Sequence, residues 1–555
     1  MGSIMLCASL VLGALSDFSV GLNDLPDPHQ DDFRLIVLGD SFASPTMGRI
    51  PTALMARLPG GRIRAWRVPA TLNAAPLRLL ETGPDVFQLN DPSERGCYGF
   101  ESDRGGVQLG LPVTRPMDLR VTNGASGRAV YNLRLEDLES GSHALQPFAN
   151  EAVTLKVIHR WPTSGLNAVP LTSIEGTWIP GETLSPGSFG ELGSCSLDHL
   201  AVGDLVRLHT ATAGAGALQV VDFILSRNSP GVYFSALSDE SWSYAGYSND
   251  SFCQSANDKT FAQSELASWI AATTIDPSES IVFMSMLSTE AVAGQDFRSV
   301  LESMVNQSFG AVEEAGLDVP IYMLFVLPMR HSIGGTLPVG DEPAAFEHSW
   351  AAMAELAHEQ QRIGAISLYH MTDGIRFDGG PPSRQWLQDR CLNLHRYSGS
   401  EYNLSLPPYN GKLHDPPMIH PRDKVAATFM ARLLRYAWRG WSWPGDVDAD
   451  GVLTSVDRDL VLQAIGQVGE IPEDLNEDGV VDAADVDEIT VRLECANAPP
   501  PPPSPDFNGD GVVAYEDLLI LLTFWDQSDS EGYDLNSDGQ VDYLDLLVLL
   551  SAWTI

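Results

Sequence analysis

Four short acidic segments leave the last 110 residues of this chain little freedom in how they fold. They begin at Asp446, Asp474, Asp506 and Asp534, and each runs for twelve residues. Oxygen-bearing side chains stand at positions 1, 3 and 5: Asp446, Asp448 and Asp450; Asp474, Asn476 and Asp478; Asp506, Asn508 and Asp510; Asp534, Asn536 and Asp538. Glycine follows at position 6, and Val452, Val480, Val512 or Gln540 offers a backbone carbonyl at position 7. Asp457, Asp485, Asp517 and Asp545 close the segments at position 12. Hard oxygens crowded this closely repel one another until a divalent cation bridges them, and the glycine permits the sharp turn, so the pattern is that of a calcium loop. Structural Ca2+ is expected in all four, and no cofactor is expected for catalysis. The formal charge is -40, and the stretch from Asp446 onward holds 26 acidic and 2 basic residues, hence -24 of that total. Nucleic acid and anionic membrane surfaces are poor partners for such a tail, and bound cations are good ones.

Both pairs of loops repeat at 28 residues, with Asp rather than Glu at position 12. This resembles type I dockerin modules, in which two loop–helix units pack together and one helical face binds a cohesin. One pair covers 445–497 and the other 506–555, with a stiff linker over 498–505 reading Pro499-Pro500-Pro501-Pro502-Pro503-Ser504-Pro505 between them. The helical stretches 518–522 and 546–550 are apolar on most faces, as a small core organised by calcium requires. The resemblance implies a cohesin-like or cell-surface protein as partner.

Upstream, the run Leu35-Ile36-Val37-Leu38 breaks into Gly39-Asp40-Ser41-Phe42, a buried strand ending in a tight turn that presents a serine hydroxyl. In open α/β sheets the ligand crevice lies outside the carboxyl ends of the strands, which makes Ser41 the candidate nucleophile. A helix is expected over 49–58 and a second strand over 62–68. From 71 to 227 the text is turn-rich, with short alternating runs at 119–121, 153–158, 205–208 and 218–225, so an inserted all-β module of sandwich type is expected. Carbohydrate binding, covering of the active site and a purely structural role all remain open for it. Strands at 231–235, 281–287, 321–327 and 365–369, with helices at 297–315 and at 344–362 closed by Gly364, restore the α/β rhythm. The fold class is therefore α/β, a parallel sheet over 30–70 and 228–440 with an inserted all-β domain, followed by all-α calcium-loop repeats.

Gly39-Asp40-Ser41-Phe42 after an apolar strand resembles the first block of the SGNH/GDSL hydrolases, which carry a flavodoxin-like sheet. Their last block sets an Asp three residues before a His, with a helix after it. Here His420-Pro421 precedes the helical stretch 423–434; Pro417 occupies the third position back, and Asp415 is the nearest upstream acid. The resemblance thus implies Ser41 as nucleophile, His420 as general base and then acid, and Asp415 or a backbone carbonyl as its orienting partner. A serine hydroxyl needs that arrangement, because it is a poor nucleophile until a neutral imidazole takes its proton. The family's oxyanion glycine and asparagine fall on the regions of Asp239 and Glu290, where this chain has neither residue. Two readings follow: a secreted serine esterase removing acyl groups from polysaccharide, or a non-catalytic surface or binding protein on a degenerate SGNH fold. The ester or carbohydrate substrate follows from the resemblance alone. His331, His370, His414 and Asp373 are read as structural.

The six cysteines, at 7, 97, 195, 253, 391 and 495, include no CxxC, so a zinc finger is not indicated. Cys97 with Cys195 and Cys253 with Cys391 are the pairings to test. The apolar run 4–15 is long enough for the core of a signal peptide, assigned here to 1–18 although it lacks a basic leader. A secreted or cell-surface location follows. No later run reaches the roughly 18 apolar residues of a membrane span.

Overall fold

The structure, a computed structural model, describes residues 18–28, 30–39, 50, 54, 63–67, 77–80, 87–89, 117–121, 130–135, 153–160, 171–176, 182–183, 192–200, 205–210, 216–238, 263–286, 297–331, 342–377, 380–390, 393–397, 400–403, 412–414, 424–449, 452–469, 471–475, 479–496, 505, 507, 512–526, 533–535 and 540–554. Two compact units emerge from its contacts. One comprises Asn23–Val326 with Ala351–Ala365, the other Met1–Leu22, Leu327–Trp350 and Ile366–Ile555.

The chain enters through a two-residue strand, β1 (Ser19–Val20), followed by β2 (Phe33–Gly39) and β3 (Ile63–Arg67). Ten strands come next: β4 (Leu77–Leu80), β5 (Phe87–Leu89), β6 (Met117–Val121), β7 (Val130–Leu135), β8 (Val153–Arg160), β9 (Leu171–Gly176), β10 (Glu182–Thr183), β11 (Leu192–Leu200), β12 (Leu205–Thr210) and β13 (Gly216–Ser226). Then β14 (Val232–Ser238), helix α1 (Gln263–Thr273), β15 (Ser280–Met286), α2 (Phe297–Glu314), β16 (Ile321–Leu327), α3 (Glu342–Glu359) and β17 (Ile363–Ser367) resume the α/β alternation.

The strands expected at 281–287 and 321–327 and the helix at 297–315 are present to within one residue. Of the helix expected over 49–58, Ile50 and Leu54 are described; both are helical and buried, one turn apart. The helix expected to end at Arg362 stops at Glu359: Arg362 takes a left-handed φ of 68°, and Gly364 lies inside β17. The apolar run that must join the sheet already begins at Ile363, so the reversal has to come before it.

In β2, Leu35, Ile36, Val37 and Leu38 are all fully buried, and successive side chains on a strand point to opposite faces. Both faces of the sheet are therefore covered, as a parallel sheet requires. The spatial order is β17-β16-β15-β2-β14-β3, with β2 parallel to both β14 and β15, and β15 parallel to β16. Taking β14 as the second strand yields the flavodoxin-like order 2-1-3-4-5, and β3 is an added strand outside it. β3 then pairs antiparallel with the end of β13, and β13 pairs with β6 and β8, so the inserted β region continues the main sheet through one long strand. Its other strands form a second sheet, β10-β9-β12-β7-β4. Cys195 lies buried on β11 opposite Val157; Cys97, Cys253 and Cys391 are outside the described residues.

Two buried charges tie this unit together. Arg34 interrupts the apolar run of β2 and lies over the rings of Tyr233 and Trp269, at 4.7 and 4.8 Å, while donating to Thr273 Oγ1 at 2.5 Å. Glu279, just before β15, accepts from Arg64 of β3 at 2.9 Å. Burial pushes the Glu279 carboxyl up to about 7 from its ordinary 4.5, with Arg64 pulling the other way. A carboxyl raised in the folded state holds its proton more tightly there, so its contribution is full below pH 4.5 and is lost as pH rises to 7. The amount is about 3 kcal/mol. Glu279→Gln should flatten the fall in stability between pH 4.5 and 7 relative to wild type in urea unfolding; parallel curves for the two proteins would disprove the assignment.

In the other unit, β17 ends at Ser367, where the sequence suggested a strand reaching 369. Ser367 caps a helical turn, α4 (Leu368–Met371), by accepting from His370 N–H at 3.1 Å, and this cap stops the strand. Helix α5 (Pro381–Asp389), the hairpin β18 (Asn393–Tyr397) with β19 (Ser400–Asn403), and α6 (Lys424–Trp438) follow. The tail supplies α7 (Ser455–Ala464), α8 (Ala483–Ala496), α9 (Tyr515–Thr523) and α10 (Tyr543–Ser551). No helix among the described residues is long and apolar enough to cross a membrane.

Candidate functional site

Three neighbouring strands end at one level. Gly39, the last residue of β2, stands opposite Ser238 at the end of β14 on one side and Met286 at the end of β15 on the other. This is the switch point in the strand order, the place where open α/β sheets in general bind their ligands. Ser41 follows Gly39 by two residues, Asp239 follows Ser238 by one, and Glu290 follows Met286 by four. These three, with Asp415 and His420, lie outside the described residues. On either side of the latter pair, Leu413 N–H donates to Phe377 O at 3.2 Å, His414 is fully buried, and α6 starts four residues after His420.

The other histidines make local contacts. His370 sets Nδ1 2.7 Å from Ser367 Oγ and Nε2 3.1 Å from Glu347 Oε2, with the buried Ser367 serving as a helix cap. Asp373 accepts from Trp386 Nε1 at 2.7 Å and Arg390 Nη2 at 2.9 Å. His331 is buried with its ring edge-on to Phe346, and Nδ1 lies 2.9 Å from Met329 O.

The four acidic loops repeat one geometry. In each, the position-12 aspartate is fully buried and accepts backbone N–H groups from positions 2 and 9, and Asp457 also accepts from Asp448 N–H at 3.3 Å. Asp457 accepts from Val447 and Thr454 at 2.8 and 2.7 Å, and Asp485 from Leu475 and Asp482 at 2.7 and 2.8 Å. Asp517 accepts from Phe507 and Ala514 at 2.6 and 2.9 Å, and Asp545 from Leu535 and Asp542 at 2.6 and 2.7 Å. The same residue therefore closes the loop and caps the helix that leaves it. The pattern of spaced acids singles these residues out, but helix capping has no separate sequence signal.

Ligand oxygens of Asp446, Asp448 and Asp457 lie within 4.8 Å of one another, the spread that oxygens 2.3–2.6 Å from one shared ion can have. In the second loop Gly479, at φ 92°, directs its N–H to Asp474 Oδ2 at 2.9 Å. The donors are hard, anionic and flexible, which suits Ca2+ better than a soft-ligand metal. Val452, Val480, Val512, Asp534 and Gln540 are described with them; Asp450, Asn476, Asp478, Asp506, Asn508, Asp510, Asn536 and Asp538 lie outside the described residues.

The last two loops share a small core of Phe507, Val513, Leu521, Leu535, Val541 and Leu549, and Thr554 N–H closes it by donating to Val513 O at 3.0 Å. The family model "Dockerin type I domain" matches this region over 504–552. Residues 504–552 are a type I dockerin domain. Dockerin domains bind calcium, which supports structural Ca2+ in this region. The loops at Asp446 and Asp474 precede the matched dockerin region. Among curated proteins, none matches the chain in sequence. Solved structures similar to it include a peptidoglycan O-acetylesterase, 12% identical over 78% of this chain and 95% of that one, with a TM-score of 0.41. A family two carbohydrate esterase from Clostridium thermocellum is 7% identical over 45% and 84%, with a TM-score of 0.19, and one from Cellvibrio japonicus is 8% identical over 55% and 88%, with a TM-score of 0.17. All three likenesses are distant.

Proposed function

We propose that the chain is an extracellular serine esterase that removes acyl groups from polysaccharide and is tethered through its dockerin domain to a cohesin. The observation that carries the enzyme reading is the end of β2 at the switch point, in register with β14 and β15, with Gly39-Asp40-Ser41 leaving it. Ser41 Oγ attacks the ester carbonyl carbon while His420 takes its proton. The tetrahedral intermediate collapses, the C–O bond to the sugar breaks, and His420 returns the proton to the departing hydroxyl. Water, deprotonated by the same imidazole, then hydrolyses the acyl-serine and releases the acid. Asp415 or a backbone carbonyl holds the imidazole tautomer, and the Ser41 amide with groups near Asp239 and Glu290 faces the oxyanion.

Ser41→Ala should lower aryl acetate hydrolysis about 10^4-fold or more, and a fluorophosphonate probe should modify Ser41 alone. Equal rates in the two proteins would remove the enzyme claim. They would leave the second reading, a binding module on an inactive hydrolase fold, which Glu290 and the absent glycine near Asp239 favour because an ionised carboxylate repels a developing oxyanion. For the tether, a column of immobilised type I cohesin should retain the full chain in calcium and release it in EDTA; passage through the column in calcium would overturn that assignment.

A further inference from the structure

The two loop pairs are copies shifted by 60 residues, since Asp446 corresponds to Asp506 and Asp474 to Asp534. Their cores agree: Leu453, Val461, Leu475, Val481 and Ile489 are buried in the first pair at the positions of Val513, Leu521, Leu535, Val541 and Leu549. Their outer surfaces differ. On the dockerin domain Leu519, Leu522, Leu547 and Leu550 are exposed, an apolar helix face open to a partner. The matching positions of the first pair are Asp459, Leu462, Asp487 and Thr490, so three of the four are polar.

Elsewhere the first pair has gained charge. Glu488 and Arg492 on α8 replace what are Val548 and Ala552 in the second copy. Both are buried and ion-paired to each other, and Arg432 of α6, itself buried, has Nη2 3.8 Å from Glu488 Oε1. Arg432 Nη2 also donates to Leu475 O, the residue after the first ligand of the second loop, at 2.6 Å. Arg492 Nη1 donates to Pro444 O at 2.7 Å, two residues before the first ligand of the first loop. Gly445 lies between Pro444 and Asp446 at φ 100°, and a Cβ there would sit 3.0 Å from Arg492 Nη1. Ser442 donates to Asp446 Oδ2. The backbone entering both loops is therefore held by arginines, one of which belongs to the last helix of the hydrolase region.

We propose that the first loop pair is a calcium-dependent brace on α6, an internal part of the hydrolase region, and that attachment to other proteins is left to the dockerin domain. The proposal rests on the reading of the first two loops as calcium sites. Calcium draws Asp446 and Asp474 onto their ions and sets the backbone at Pro444 and Leu475. Through Arg492, Glu488 and Arg432 it also fixes α6, which begins four residues after His420.

Hydrogen exchange on the full chain, with and without calcium, tests this in wild type, Asp485→Ala, Asp545→Ala and Arg432→Met, alongside calcium stoichiometry by titration calorimetry. Removing calcium from wild type should speed exchange in 424–438 at least tenfold. Asp485→Ala should do the same in saturating calcium, whereas Asp545→Ala should loosen 515–551 and leave 424–438 protected. Arg432→Met should keep the wild-type calcium stoichiometry while losing most of the calcium-dependent protection of 424–438. Unchanged exchange in wild-type 424–438 on calcium removal, where stoichiometry shows that the first pair binds the ion, overturns the brace alone. A stoichiometry that Asp485→Ala does not lower overturns the calcium reading beneath it.

Discussion

Chelating calcium should abolish the fold of 504–552. Among its described residues the dockerin domain has a core of six buried apolar side chains, while Asp517 and Asp545 are fully buried carboxylates. Buried carboxylates without a cation cost several kcal/mol each, and a domain this small has no large core to offset them. Two ions held at about 1,000 times their dissociation constants contribute about 4 kcal/mol each, or about 8 kcal/mol together. That is comparable with the whole stability of a small domain. In EDTA the amides of 515–523 and 543–551 should exchange at rates near those of an unfolded chain, and readdition of Ca2+ should restore them. Protection that survives EDTA at micromolar protein would show that the apolar core suffices by itself.

Glu488→Ala should be the most damaging single substitution in the first loop pair. It removes the carboxylate that pairs with Arg492 and lies 3.8 Å from Arg432, two arginines exposed by less than 1% and by 3%. Burial already pushes the Arg492 guanidinium below its ordinary value, and Glu488 is the nearest group holding it up. Breaking such a buried pair by deleting one partner costs about 3–5 kcal/mol, which for a unit of this size lowers the melting temperature by about 6–20 °C. Glu488→Gln keeps an acceptor for Arg492 and should fall between the two. Thermal unfolding in saturating calcium measures this, and a loss below about 1 kcal/mol for Glu488→Ala would mean the arginines find other partners.

Elements whose signal is local were legible before any coordinates. β16 could be read to the residue because Ile321–Leu327 is apolar throughout, which only a doubly covered strand tolerates. The dockerin domain over 504–552 was legible for a similar reason: its repeat puts given residue types at given spacings, and those are linear in the chain. Other elements were passed over. α1 buries Leu266, Trp269, Ile270 and Thr273 at helical spacing, but eleven residues between turn-rich segments make a weak periodic signal. Arg34 precedes the run Leu35–Leu38 in β2, and its burial depends on groups some 200 residues away, the rings of Tyr233 and Trp269 and the hydroxyl of Thr273.

The amino-acid order alone determined the spacing of the acidic loops, the parallel α/β strands and the placing of a serine just past the first of them. These depend on neighbours within about a dozen residues. Tertiary structure alone decided that β3 and β13 join the inserted strands to the main sheet, since strand order is a matter of which distant segments pair. It also separated two loop pairs with the same motif: one is linked to α6 by Arg432 through Glu488 and Leu475, and the other exposes Leu519, Leu522, Leu547 and Leu550. The motif prescribes how a loop holds an ion, but the far side of each helix is free to vary, and what covers that side depends on the rest of the fold.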